Sequence, residues 1–327
     1  MRLPWATVAL IGRAAQCDVA PEHLSLSSAC NIRCERSDDP TMAEPEARFY
    51  ESQGLRLHYA DWGNAAAPPL VLIHGGLDHC RNWDAIARAL QPHFHIVAPD
   101  LRGHGDSEWA RGSSYTLVDN VVDITGLIAV AGLKDAALVG HSMGGMVAQA
   151  YAGTYPDRVS RLAVLDGTFL STSQPPPIDE RMSRWVKQLE RIAQHEPRAF
   201  RTIEEAALRL SGRNKRLTPE QALHLARHGV RQHADGFYRW KFDHYQRARA
   251  PYRLSPDDYI GLWSRIACPT LLMWGSESFL ADPEAAGLLA HFKQAEILKI
   301  TGAGHWLHHD RLDEVLAALR RFLGVPG

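Results

Sequence analysis

The 327-residue chain lacks a net charge of any size: 36 lysines and arginines face 37 aspartates and glutamates, a formal balance of −1. A nucleic-acid partner would call for a basic excess, so none is expected. Long apolar runs are missing too. None reaches the roughly 18–20 residues of a transmembrane helix, and no integral membrane segment is expected. Cysteine is scarce. Cys17, Cys30, Cys34, Cys80 and Cys268 are scattered and odd in number, and a chain this long needs no disulfide staples. The simplest expectation is a reduced, cytoplasmic setting. Cys30 and Cys34 have C-x3-C spacing, but only Cys17 and His23 stand nearby to complete a zinc set. No metal is expected.

What is present falls into unlike parts. Residues 1–41 have no clear hydrophobic period and read as a disordered extension. Their first 17 residues, "MRLPWATVALIGRAAQC", weakly imitate a signal peptide. From about Phe49 the chain alternates short apolar strands with helical stretches. "LRLHYADWG" (55–63) alternates as a half-buried strand does. "PPLVLIHGG" (68–76), "FHIVAPD" (94–100), "AALVGHS" (136–142), "RLAVLDG" (161–167), "PTLLMWG" (269–275) and "AEILKITGAGH" (295–305) read as buried strands ending in Gly, Ser, Asp or His. Strands joined by helical crossovers predict an α/β fold, a mostly parallel, doubly wound sheet of about eight strands. Active sites of such sheets lie at the carboxyl ends of the strands.

One interval breaks the alternation. Residues 169–266 show helix-start signals and no clear buried strand, which predicts a helical cap inserted between 42–168 and 267–327. "TIEE" (202–205) and "TPEQ" (218–221) look like capping boxes, and Asp235-Gly236 suggests a hairpin over 234–243. Residues 180–253 carry 17 Lys and Arg against 8 Asp and Glu. Solvated helix faces explain that excess; attraction for anionic substrates is the functional alternative.

Chemistry concentrates in "LVGHSMGGMVAQAYA" (138–152), where Ser142 ends a strand and opens a helix. Glycines at 140, 144 and 145 suit a turn too tight for side chains, and the helix start presents N–H groups to an oxyanion. Serine needs a base. His305, in the glycine-rich turn after the last strand, is placed over the strand ends. His308 and His309 fall in the following helix.

Taken together, "HGG" (74–76), "DLRGHGDS" (100–107), "GHSMGG" (140–145) and "GAGHW" (302–306) resemble the α/β-hydrolase superfamily, in the expected order and over roughly residues 50–325. The resemblance implies a Ser-His-acid triad. The superfamily's usual acid, an Asp in a G-x-x-D turn, is replaced here by Ser278 in "WGSES". Asp166, at the end of the strand after the elbow, is the favoured substitute, as in haloalkane dehalogenases, and Glu277 is the alternative. The oxyanion hole would be the N–H groups of Met143 and Gly76, with Leu77 as the alternative to Gly76. His74, Asp100, Arg102, His104 and Asp106 are expected to brace their loops, although His104 could reach the site. Trp185, Trp240 and Trp263 are candidate pocket residues.

These readings predict a cofactor-free serine hydrolase of small to medium carboxylic esters, lactones or thioesters. Serine at 142 argues against a dehalogenase or epoxide hydrolase of the usual type, which carries Asp there. A C–C bond hydrolase on vinylogous diketones and a cofactor-free perhydrolase are the near alternatives. A non-catalytic ligand receptor on the same fold is the alternative of another class.

Overall fold

The computed structural model describes residues 44–326, apart from 111, 113, 114, 171–174 and 249. The extension 1–41, with Trp5, Cys17, His23, Cys30 and Cys34, lies outside the described residues. In chain order the strands are β1 (Glu46–Ser52), β2 (Leu55–Asp61), β3 (Pro69–Ile73), β4 (His95–Pro99), β5 (Ala136–His141), β6 (Val159–Leu165), β7 (Ala199–Phe200), β8 (Val230–Gln232), β9 (Tyr238–Trp240), β10 (Thr270–Gly275) and β11 (Ala295–Ile300). Eight form one sheet in the order β1-β2-β4-β3-β5-β6-β10-β11. Pairing is antiparallel for β1–β2 and β2–β4 and parallel from β4 to β11.

The helices are α1 (Asp84–Leu90), α2 (Leu117–Val130), α3 (Met143–Thr154), α4 (Ile178–Ala193), α5 (Ile203–Ser211), α6 (Pro219–Gly229), α7 (Pro256–Trp263), α8 (Leu307–Asp310) and α9 (Leu312–Leu323). Side chains of a strand alternate between the two faces of its sheet. Val71 and Ile73 of β3 therefore join Leu138 of β5 in a core shared with α2, α3 and Trp263 of α7. Leu70, Leu72 and Val139 point the other way, into a core with Trp83, α1 and α9. Helices thus cover both faces, and the central strands are apolar along their whole length because neither face meets water.

Between β6 and β10 the chain leaves the sheet. It forms α4 to α6 and a three-stranded sheet of order β7-β9-β8, so the interval is less purely helical than its sequence suggests. Its own small core joins Phe200, Ala206, Ala222, Ala226 and Val230. Thr218 and Gln221 form the expected capping box behind Pro219. At Thr202 only half of a box forms: its side chain accepts from Glu205 N, while the Glu205 carboxylate takes Arg201 N–H. The hairpin turns at Gly236, φ +82°, but its strands lie at 230–232 and 238–240, earlier than 234–243. α7 packs on α3: a side chain at Gly153 would fall on the backbone of Leu262. Trp263, expected in the pocket, is accordingly buried in the core and stacks on Phe292, ring centroids 5.1 Å apart.

Among the described residues, no helix is long and apolar enough to cross a membrane. Cys80 and Cys268 are buried free thiols.

Candidate active site

The elbow forms as the glycines require. Ser142 has φ 50° and ψ −118°, a strained conformation for a residue with a side chain. A side chain at Gly144 would fall on the carbonyl oxygens of Ile73 and His74, and one at Gly140 on the backbone of Gly144. Only glycines let the start of α3 approach β3 and β5 this closely. The turn is pinned by Ser142 N–H donating to Leu165 O at 2.9 Å. Ser142 then projects beyond the carboxyl ends of β5 and β6.

His305 reaches that point from the turn after β11. Its Nε2 lies 2.9 Å from Ser142 Oγ. Its Nδ1 lies 2.5 Å from Asp166 Oδ2. Asp166 follows β6 directly and also sits at positive φ, 47°. Its N–H donates to Met273 O of β10 at 2.8 Å, so the neighbouring strand holds its backbone in place. Ser278, in the family's usual acid position, donates its hydroxyl to Asp166 Oδ2 at 2.5 Å. It also accepts Leu280 N–H at 3.0 Å. Glu277 points elsewhere: it is exposed and ion-paired with Arg216.

The loop after β3 faces the elbow. A Cβ at Gly76 would lie 3.8 Å from Met143 Sδ, which makes the two residues neighbours. Met143 is the first residue of α3, so its N–H is free of intrahelical bonding. Leu77 is otherwise engaged: its N–H donates to His104 Nε2 at 3.0 Å. His104 in turn bonds Arg102 O through Nδ1 at 3.0 Å, and so holds the loop and has no nitrogen left for the reacting group. His74 works likewise, with Nδ1 on Gly75 O at 2.7 Å and Nε2 accepting Leu101 N–H at 3.0 Å. Both need one protonated and one bare nitrogen, hence the neutral ring. Burial favours that form, pushing His74 down to about 3 and His104 to about 4. Asp100 accepts Cys80 N–H at 2.7 Å and Asp106 N–H at 2.9 Å. Arg102 is held by Asp123 at 2.6 Å and 2.8 Å.

Three more side chains border the site. His141 bonds the carbonyl of His305 through Nε2 at 2.9 Å, holding the histidine turn against β5. Ser278 donates to Asp166, and the ring of largely exposed Phe279 lies 4.4 Å from that of His305. His141 was legible in "GHSMGG"; the other two depend on the path of the β10 loop. His308 and His309 fall in α8, as expected; His308 is buried and stacked on Trp83, and His309 is half-buried at the cavity wall. Trp240 lines a cavity together with Gly76, Leu77 and Trp306. Trp185, half-exposed on α4, is not among the residues lining that cavity or the larger one beside it.

Two groups among the described residues bring potential metal ligands together: His58, Cys80 and Asp100, and Asp84, His224 and His228. Both are already engaged internally. His58 Nδ1 bonds Asp100 Oδ2 at 2.7 Å. Arg81 bonds both oxygens of Asp84, at 2.8 Å and 2.7 Å.

A family model described as the alpha/beta hydrolase fold matches residues 68–312. The chain is 27% identical to the sn-1-specific diacylglycerol lipase of Mus musculus, over 80% of this chain and 82% of that protein. It is 30% identical to the 3-hydroxybutyrate-oligomer hydrolase of Cupriavidus necator, over 76% of this chain and 87% of that protein. Among solved structures, the thioesterase domain from the curacin biosynthetic pathway superposes with TM-score 0.75 at 27% identity, covering 84% of this chain and 99% of that one. With the sheet order, the elbow and the family match in agreement, the chain belongs to the alpha/beta hydrolase fold family.

Proposed function

We propose that this chain is a serine hydrolase of carboxylic esters or thioesters, working through Ser142, His305 and Asp166. The observation that carries the reading is the unbroken relay from Ser142 Oγ to His305 Nε2, 2.9 Å, and from His305 Nδ1 to Asp166 Oδ2, 2.5 Å. Ser142 Oγ attacks the acyl carbon and gives its proton to His305 Nε2. Asp166 keeps the other ring proton on Nδ1 and stabilises the imidazolium that forms. The N–H groups of Met143 and Gly76 receive the oxyanion; losing one such donor costs about 3–4 kcal/mol of transition-state stabilisation. His305 then returns the proton to the leaving alcohol or thiol. Water, deprotonated by the same nitrogen, cleaves the acyl-enzyme and frees the acid.

The relatives support the bond class, since their names include a lipase, an oligomer hydrolase and a thioesterase domain. A ligand receptor on this fold would have no need for a serine held at positive φ behind an aligned histidine. Fluorophosphonate labelling tests the proposal. Wild type is expected to be labelled at Ser142 and to lose label and ester hydrolysis in Ser142→Ala. Full hydrolysis by Ser142→Ala would overturn it.

A further inference from the structure

Many of the basic residues between β6 and β10 are exposed, but eight of them gather around one open cavity, among them the exposed Arg209, Arg213 and Arg247. A cavity of about 1340 Å³ opens between the end of α4, α5, the β8–β9 hairpin and residues 105–109. Eight arginine or lysine side chains line it against four carboxylates. Some of those cations are already paired. Asp106 accepts from Arg231 and from Lys241, both at 2.8 Å, and Asp235 from Arg239 at 2.7 Å. Arg209 of α5, Arg213 just after it and Arg247 before α7 make no ion pair among the described residues. Arg209 and Arg247 both bear on Arg213. Desolvation, and then the charges of Arg247 and Arg209, hold the Arg213 guanidinium below its usual range. Asp78 opposes that shift, but burial holds its own carboxyl above the usual carboxylate range.

Through Arg213 this cluster adjoins the cavity that borders the loop after β3 and the turn after β11. Arg213 also lines the smaller cavity that touches Gly76, Leu77 and Trp306, the residue after His305. Trp240, Lys241 and Phe242 are common to both cavities, so the two share a wall. The volume exceeds the roughly 300–1,000 Å³ of most small-ligand sites, which leaves room for a bulky group beyond the scissile bond. Arginine suits carboxylates and phosphates because its planar fork can donate two parallel hydrogen bonds.

We propose that Arg209, Arg213 and Arg247 bind an anionic group, a carboxylate or a phosphate, on the part of the substrate remote from the bond that is cleaved. The proposal rests on the serine-hydrolase reading and names its substrate class. Two matched pairs of substrates test it. Mono-p-nitrophenyl adipate against p-nitrophenyl hexanoate probes a carboxylate. Hexanoyl-coenzyme A against hexanoyl-N-acetylcysteamine probes phosphates. In at least one pair the anionic member is expected to show a kcat/KM about tenfold higher or more. Which pair responds identifies the anion. Arg213→Gln and Arg247→Gln are each expected to reduce that ratio about tenfold, as is raised salt, since the Debye length is only about 8 Å at physiological ionic strength. Arg184→Gln, which removes an exposed pair with Glu180 on α4, should leave the ratio unchanged. Ratios near one in both pairs, or ratios that Arg213→Gln does not move, overturn the proposal. A readout without turnover separates the two hypotheses: calorimetric binding of adipate or coenzyme A to Ser142→Ala, lost on adding Arg213→Gln. Binding without hydrolysis or labelling of wild type would break the hydrolase reading alone. Hydrolysis of neutral esters with no binding of either anion would break only the anion site.

Discussion

The ends of β6 and β10 are neighbours in one sheet and carry opposite solutions to the same problem. β6 is followed directly by Asp166, whose carboxylate meets His305. β10 is followed by Ser276, Glu277 and Ser278, and it is Ser278, in the family's usual acid position, that reaches the same carboxylate oxygen. Parallel strands lie only about 4.8 Å apart, so either end can bring a carboxylate to one imidazole. In the proposed triad the acid stands one strand over from the family's usual place, and Ser278 at that place donates a hydrogen bond to it.

Substitutions can break this comparison in order of size. Asp166→Asn is expected to lower kcat by about 10³–10⁴, as loss of an orienting carboxylate does, while labelling at Ser142 slows in parallel. If kcat stays within tenfold, the acid lies elsewhere, and Glu277→Gln becomes the variant to measure.

Acidity should have the next largest effect, through histidines held neutral in the loops after β3 and β4 and in α8. His74 and His309 are held down to about 3 and His104 to about 4, first of all by burial. An unfolded histidine titrates near about 6.5. Below that pH the unfolded chain takes up protons that the native state refuses. Stability is therefore complete above about pH 6.5 and falls as pH drops toward 4, by about 1.4 kcal/mol per pH unit for each such histidine. Urea denaturation at pH 7.5, 6, 5 and 4.5 should show a steadily falling midpoint. A midpoint flat down to pH 4.5 would mean that these rings are not buried as neutral groups.

Returning an acid to the vacated end should come next. Asp166→Asn with Ser278→Asp is expected to recover roughly tenfold or more of the activity that Asp166→Asn loses, since the side chain at 278 already reaches the oxygen that meets His305. No recovery would show that the β10 end can support the acid but cannot replace it. Ser278→Ala removes one hydrogen bond to a charged group, worth about 1.5–3 kcal/mol. It should lower kcat by roughly tenfold with KM steady; an effect on KM alone would make Ser278 a substrate contact. Glu277→Gln should be the smallest, within about 0.5 kcal/mol of stability and close to wild type in kcat, because its partner is the exposed Arg216.

Legibility followed locality. Seven strands of the large sheet showed in the sequence as apolar runs, whereas β1, an antiparallel edge strand with mostly exposed side chains, did not. The elbow was legible because its glycines and strand-to-helix switch fall within a few residues. Trp240 and Trp263 looked alike as tryptophans of one insertion. The structure puts one on a cavity and the other in the core, because α7 turns back onto α3 while β9 stays with the cap. Sequence grounds favour Asp166, at a strand's carboxyl end, with Glu277 as the alternative, but nothing within either turn says which way its side chain points.

What the sequence by itself determined is what sterics and period act on locally: the buried strands, the glycine-bound turn at Ser142, and a histidine in the turn after the last strand. The meeting of Asp166 with Ser278, the use of Leu77 N–H by His104, and the gathering of Arg209, Arg213 and Arg247 belong to the tertiary structure alone. Each joins segments far apart in the chain, and their contact depends on sheet order and on where the cap folds, which no short window of residues encodes.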